Sequence, residues 1–454
     1  MTAKTVAPSR DLTSGSLHRD IWYLAVPMIL EMGVLNVWQI LDTLWIGRLG
    51  TAALAAVTIS ASIRWVINSI ANGLGSGGMA VVARRVGGRE DEAAAHAAWQ
   101  TILLGTAISL VLSLLGLAVA RPALLLLGAD ATVLPLGLVY MRITMCGMFT
   151  LVLTFVINSI LRGAGEASWA MIVLFVATAV TVLTEWILVF GWGPIPALGI
   201  AGSAWGGVLG FGTAVVLQMV ILLSGRVRIH LTLRGLRPDF ALMSRILRIS
   251  LPSMVQLFLR TSSSLVILGL VGFYGTYATA GYGVANRMLM LVIIPAFGLS
   301  NSAGTLVGQN LGAQKPGRAE QNAWWVSLYT GIYAVIAGML LWTAAGSVIG
   351  VFDPTPSVVD YGAQCLRVMA PSLFLYAVGT VLGRAFVGAG DPVPPMVVNL
   401  LSLWLIAVPF AFGLSRWLGM GTDGIFWGLA MAYVANGILL ILWFRRGRWK
   451  LREV

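Results

Sequence analysis

Apolar residues along this chain come in long runs, not in the short alternations of a soluble protein. A membrane-spanning helix needs roughly 20 mostly apolar residues. Twelve runs between polar or Gly/Pro breaks reach that length, at approximately 20–46, 54–82, 97–120, 134–160, 168–191, 199–224, 247–273, 279–307, 323–351, 361–388, 394–415 and 424–444. The pattern predicts an all-α polytopic membrane protein with twelve transmembrane helices. The first run is too long for the core of a signal peptide and lacks a small-residue cleavage site, so it reads as a retained span. Residues 1–19 before it are polar and predict an unstructured tail.

The runs repeat. A shift of 225 residues aligns Pro27 with Pro252, Gly50-Thr51 with Gly275-Thr276, Gly87 with Gly312 and Ala98-Trp99 with Ala323-Trp324. The same shift aligns Gly163-Ala164-Gly165 with Gly388-Ala389-Gly390 and Met171 with Met396. Further on the offset slips to 222, where Trp205-Gly206 meets Trp427-Gly428. Six spans per copy is an even number, so the two lobes share one orientation and are expected to be related by a pseudo-twofold along the membrane normal. The expected organisation is a tail at 1–19, a first lobe at 20–224, a linker at 225–246, a second lobe at 247–444 and a basic tail at 445–454. Two such lobes are expected to leave a central cleft for cargo.

Charge then sets the orientation. Twenty-one Lys and Arg residues fall on one side, from Lys4, Arg10 and Arg19 through Arg84, Arg85 and Arg89 to the linker and the C-terminal tail, whereas Arg48, Arg121 and Arg416 fall on the other. By the positive-inside rule both termini and the linker are expected on the cytoplasmic side, and the expected location is a bacterial inner membrane. Composition agrees, with 58% hydrophobic residues, 10% charged and a mean hydropathy of +0.89, against about 25% charged in soluble proteins. The net charge of +12 follows topology and gathers on no single face, so nucleic acid is not an expected partner. Cys146 and Cys365 sit in apolar runs and read as packing residues. His18, His96 and His230 show no metal-ligand spacing, and no cofactor or structural metal is expected.

Of 17 acidic residues only Glu31, Asp42 and Glu185 lie well inside spans. A carboxylate at mid-bilayer costs roughly 2.5–3.5 kcal/mol on insertion scales, so such residues face protein or water and are candidates for ion or proton sites. Glu31 and Asp42 are 11 residues apart, nearly three helical turns, so they share a face roughly 16 Å apart. Thr181 and Glu185 share a face on the fifth span, and Asn158 on the fourth is placed to complete a polar cluster. Under the 225 shift Glu31 maps to Gln256, Asp42 to Ile267 and Asn158 to Gly383, and Glu185 falls in the uncharged stretch Leu405–Phe412. Only the first lobe carries the carboxylates, as a coupling role requires and a folding role does not.

Trp38, Gln39 and Tyr140 are further candidate contacts to cation or cargo, and Met32, Met145 and Trp186 are candidates to line an apolar cleft. Pro27 is a candidate hinge. Arg260 and Arg287 read as buried bases that either attract anionic cargo groups or pair with carbonyls, Arg260 and Gln256 being the candidate cargo contacts of the second lobe. Arg64, Arg142 and Arg367 read as span-end residues that snorkel. The run Gly73–Gly78 lies within an apolar span and reads as close helix packing, not a nucleotide loop.

Three stretches carry a family resemblance. LAVPMILEMGVLNVWQILDTLWIGRLGTAALAAV at 24–57, NSILRGAGE at 158–166 and IPAFGLSNSAGTLVGQNLGAQKPGRAE at 294–320 resemble the multidrug and toxic compound extrusion (MATE) family. The resemblance implies twelve helices in two lobes and export of organic cations in exchange for protons or sodium ions. In one bacterial branch it implies a cation site on Asp42, Thr181, Glu185 and Asn158, with Tyr140 beside it. Glu at 185 and Thr at 181 stand where that branch has Asp and Asn, which speaks against tight sodium coordination. Another branch has an acid on the seventh span, where this chain has Arg260.

The expected function is therefore a cation-coupled antiporter, with protons favoured over sodium, exporting small organic and amphipathic compounds by alternating access as a monomer in the lipid bilayer. A lipid-linked or polysaccharide flippase of the same broad superfamily is the alternative. A membrane enzyme is excluded by the lack of clustered nucleophiles, bases or metal ligands in the spans, and a channel leaves the lopsided acids unexplained.

Overall fold

The computed structural model describes residues 10–232 and 237–452. Lys4 and Arg234, counted above on the basic side, lie outside the described residues, as do 1–9 of the expected tail and the last two residues. The described chain is helical apart from its turns, the loop at 191–199 and the linker. In order the helices are α1 (Leu17–Gly47), α2 (Thr51–Gly87), α3 (Asp91–Leu126), α4 (Val133–Cys146), α5 (Met148–Gly163), α6 (Ala167–Phe190) and α7 (Ile200–Ser224). There follow α8 (Phe240–Gly272), α9 (Thr276–Gly312), α10 (Pro316–Thr343), α11 (Ala345–Phe352), α12 (Pro356–Met369), α13 (Leu373–Gly388), α14 (Val393–Trp417) and α15 (Thr422–Arg445). Among the described residues eleven helices or joined helices are long and apolar enough to cross a membrane, and the bent pair α4–α5 makes twelve.

Several helices overshoot the expected spans. At 1.5 Å per residue the 37 residues of α2 and of α9 reach about 55 Å, well beyond a hydrocarbon core of about 30 Å. The fourth expected span is two helices meeting at 49°. They break at Gly147, where a Cβ would lie 2.2 Å from Val208 Cγ2 on α7. The equivalent place in the second repeat, 225 residues on, is also interrupted, here by the 3-10 turn Ala370–Ser372. Backbone angles repeat with the same register: positive φ recurs at Gly50 and Gly275, Arg89 and Gln314, and Gly165 and Gly390, then after the slip at Gly199 and Gly421. Apolar side chains cover the outside of the helices. Leu110, Leu114 and Leu115 on α3 are each about 60% exposed, a surface suited to lipid and not to water.

The chain divides into two compact units, and their limits redraw the expected lobes. The first contains Leu30–Ser250 with the stretch up to Asp11, and the second contains Leu12–Ile29 and Leu251–Val454. Each unit thus takes in the opening turns of the other repeat's first helix. The reason is close backbone packing. A Cβ at Gly298 of α9 would come within 3 Å of the Ile29 backbone, and one at Gly77 of α2 would lie 2.1 Å from Ser250 Oγ of α8. Ser250 also donates to the Leu74 carbonyl, 3.3 Å away.

The described part of the tail is not unstructured. Leu12 is buried, Asn310 donates to its carbonyl, Lys315 donates to that of Thr13, and Arg318 pairs with Asp20 at 2.9 Å. The linker is likewise fastened in its described parts. Val227, Ile229 and Leu231 are buried, Trp99 donates to the Thr232 carbonyl, and Gln100 of α3 bonds both Arg237 and Asp239. Beyond it α8 opens at Phe240, seven residues before the expected span. Asp239 caps that opening, accepting from the Leu242 N–H and from His96, and these contacts hold its carboxyl below the usual range. Within α2, Gly75, Gly77 and Gly78 face Ser159, Ser250 and Thr101 without room for a side chain, as close helix packing requires.

Candidate functional site

A small cavity opens within the first unit and is lined by α1, α2, α4, α5, α6 and α7. Its polar centre is made by three residues. Ser203 Oγ of α7 lies 2.9 Å from Asp42 Oδ1 of α1 and 2.9 Å from Glu185 Oε1 of α6. The Trp38 indole N–H donates to the other Glu185 oxygen at 3.1 Å. Asp42 and Glu185 are 5% and 1% exposed, so both acids are withdrawn from bulk water. A hydroxyl has one hydrogen to give. When Ser203 donates to one carboxylate, its contact with the other is completed by a proton on that carboxyl group.

The local sequence explains how the three meet. Gly202, Gly206 and Gly210 recur every four residues on α7, and a Cβ at any of them would collide with Leu188, Glu185 or Thr181 of α6. This small-residue stripe draws α7 against α6 and places Ser203 beside Glu185. Phe211, one turn beyond Gly207, closes the wall and meets Trp38 edge-on with centroids 5.7 Å apart.

Arg64 of α2 shares the cavity. Its Nη1 donates to the Tyr140 hydroxyl at 2.8 Å, and its guanidinium lies 5.9 Å from that ring's centre. The span-end reading of Arg64 is corrected here. It sits 13 residues into α2, about 20 Å along the helix, and it lines the same cavity as the acids of α1 and α6.

The other expected site residues divide between this cavity and other places. Trp38, Tyr140, Asp42 and Glu185 line it, whereas Asn158, Thr181 and Glu31 do not. Asn158 donates to Glu31 Oε1, the same oxygen that Arg162 pairs with, and Gln218 reaches Asn158 Oδ1 at 3.4 Å. Glu31, Asn158 and Gln218 are each no more than 2% exposed. Asn158 therefore completes a second cluster, a buried ion pair with amide partners, and not the Asp42–Glu185 group. Thr181 turns its hydroxyl to the Ala177 carbonyl and packs on Gly210.

Gln39 is exposed and absent from the lining. Met32, Met145 and Trp186 are absent from the lining; Met145 packs on Gly116 and Trp186 meets Trp192 edge-on. Pro27 is buried within an unbroken α1, two residues before the chain passes from one unit to the other.

In the second unit Arg260 lies 4.7 Å from the Phe297 ring centre and 5.6 Å from that of Tyr376, which stacks on Tyr433 at 4.0 Å. Gln256 sits one turn before it, half-buried, and Arg287 is exposed, not buried. Sequence reasoning missed Ser203 and Arg64. The signals were present, as glycines spaced by four on α7 and a base far from either end of α2.

The MatE family model matches residues 27–187 and, a second time, 252–412. The two matches stand 225 residues apart and together take in most of the chain. The chain belongs to the MatE family. This MATE transporter is 26% identical over 445 residues to the probable multidrug resistance protein YpnP of Bacillus subtilis, covering 98% of each chain. It is also 26% identical over 429 residues to the FAD transporter of Shewanella oneidensis, covering 94% of each. Its fold matches that of an outward-facing multidrug resistance MATE family transporter of the MOP superfamily with a TM-score of 0.91 at 22% identity, over 99% of this chain and 100% of the other. The chain is thus a multi-pass membrane protein of a multidrug efflux family whose relatives are transporters and not enzymes. Those relatives do not favour the flippase alternative.

Proposed function

We propose that this MATE protein couples export of organic, amphipathic and mainly cationic compounds to proton entry, with Asp42 and Glu185 as the shared proton site. The observation that carries the reading is the Ser203 hydroxyl held between both carboxylates, 2.9 Å from each, an arrangement completed by one proton. Two ionised carboxylates in one buried site repel each other, so such a pair retains a proton readily. Sodium is less suited. The donors Trp38 and Ser203 already occupy carboxylate lone pairs, and the expected oxygen ligands Asn158 and Thr181 are engaged elsewhere. Loss of the proton leaves an acidic cavity walled by Trp38, Phe211 and Met148, which suits a cationic amphipathic cargo. Alternating access then exchanges proton for cargo, with both termini on the cytoplasmic side.

Proteoliposomes test this. Efflux of a cationic dye driven by a pH gradient without sodium is the expected result, abolished by Asp42→Asn with protein levels intact. Drive by sodium alone, or full activity of Asp42→Asn, overturns it. A second reading of the cargo follows from Arg260 in its aromatic surroundings. A relative named as an FAD transporter makes an anionic aromatic cargo the alternative, and competition of FAD with the dye distinguishes the two.

A further inference from the structure

The cavity of the first unit contains a cation of its own. Asp42, Glu185 and Arg64 are the charged residues of its lining. Arg64 is close enough for its charge to act on both acids, yet it forms no ion pair with either among the described residues. Tyr140 holds it instead, through the 2.8 Å hydrogen bond and the face of its ring. Tyr140 is itself 2% exposed, so the guanidinium is anchored in the wall and not left to snorkel.

Charge counting shows what this does. With both acids ionised the lining has a net charge of −1 with Arg64 and −2 without it. One monovalent cation, a proton or a singly charged cargo, neutralises the cavity as built. A lining without Arg64 would accommodate two. The second repeat supplies a control: at the 225 offset Asp42 is replaced by Ile267 and Arg64 by Leu289, both buried in apolar core. Where the acid is absent, the base is absent too, as expected of groups that serve one another.

We infer that Arg64 is a specificity-determining residue, a resident cation that fills one of the two places for positive charge offered by Asp42 and Glu185 and so restricts the site to one monovalent ion or cargo charge at a time. The inference rests on the reading of the acidic pair as the coupling site. Arg64 also disfavours sodium more than a proton. A proton is bound covalently to one carboxyl oxygen and needs no further ligands, whereas a sodium ion needs several free oxygens, and Arg64 engages the Tyr140 hydroxyl and repels the ion.

Sodium binding to the purified full-length protein, followed with radioactive sodium at mildly alkaline pH, tests this. Arg64→Gln should bind sodium about tenfold or more tightly than the unaltered protein, since a unit charge across the same cavity, even at about 10 Å, changes affinity by that factor at an effective dielectric near 20. Arg64→Lys should keep the original affinity, and adding Asp42→Asn to Arg64→Gln should cancel the gain. Unchanged sodium affinity in Arg64→Gln overturns the inference. Should that variant not fold, Tyr140→Phe keeps the guanidinium and frees it from its hydroxyl partner, so sodium should bind several-fold more weakly. Equal or tighter binding there also overturns it. The outcomes remain separable from the coupling reading: sodium-driven transport by the unaltered protein would sink the proton mechanism whatever Arg64 does, and sodium affinity indifferent to Arg64 would sink this inference whatever drives transport.

Discussion

The interiors of the two repeats occupy matching places in the fold and have opposite character. The first has a cavity with a polar centre of Asp42, Arg64, Tyr140, Glu185 and Ser203. At the same offset the second puts Ile267 for Asp42, Leu289 for Arg64, Cys365 for Tyr140, Met369 for Thr144, Leu373 for Met148 and Tyr376 for Leu151. After the slip it puts Ile425 for Ser203, Phe426 for Ala204, Leu429 for Gly207 and Ala430 for Val208. All ten replacements are buried members of one apolar cluster. The repeat dictates the backbone path, whereas side-chain volume and polarity decide whether its centre is a site or a core. Small residues at Ala204 and Gly207 hollow out the first unit, and an aromatic ring and a leucine fill the second.

The largest expected effect comes from making the second interior resemble the first. Ile267→Asp puts a lone carboxylate where the native side chain has no exposure, and the loss should reach about 4 kcal/mol or more, seen as failure to recover folded protein. A folded Ile267→Asp variant would mean that the place equivalent to Asp42 can host a carboxylate in the second repeat too, and the contrast would fail. Next is the ion pair outside the cavity. Glu31→Gln leaves Arg162 buried without its carboxylate and should cost about 3–5 kcal/mol in thermal or denaturant stability. Asp42→Asn, which breaks no ion pair, should cost little stability and all of the coupling. Equal stability loss in the two variants would merge the clusters that the structure separates.

Filling the first cavity sharpens the comparison from the other side. Gly207→Leu, the residue of the second repeat, enters open space and should abolish most transport while stability stays level or rises by about 0.5–2 kcal/mol. Transport that survives would place the cargo path elsewhere. The smallest effect is expected at the bridge. Ser203→Ala removes one hydrogen-bonding group, about 0.5–1.5 kcal/mol, so coupled efflux should fall roughly two- to tenfold in proteoliposomes. No change would deny Ser203 a part in holding the proton.

Much of the fold was legible because its signals are long and redundant. Apolar runs set the helices, and Gly50 and Gly165 announced turns that recur in the second repeat with the same backbone angles. The unit limits were not legible, because the exchange of opening helical turns depends on close contacts such as Ile29 with Gly298 that no periodicity reveals. The candidate site was legible in its acids and less so in their partners. Asp42 and Glu185 announce themselves as charges in apolar helices, but serine is unremarkable in such a sequence, and Ser203 matters only because a glycine stripe brings α7 onto α6. Asn158 was expected beside Asp42, yet Glu31 and Gln218 lie nearer and satisfy it. Arg64 was misplaced although it falls ten residues into its expected span, because a long basic side chain in an apolar helix reads as one that snorkels and the Tyr140 hydroxyl that holds it lies 76 residues away in the chain.

The central claim is that Asp42 and Glu185 hold a proton that cargo displaces, and proton release on cargo binding tests it most directly. Adding a singly charged cationic dye to the purified protein in weakly buffered detergent solution should release close to one proton per dye bound, and none from Asp42→Asn or Glu185→Gln. Dye binding without proton release from the unaltered protein, or undiminished release from those variants, would contradict the account.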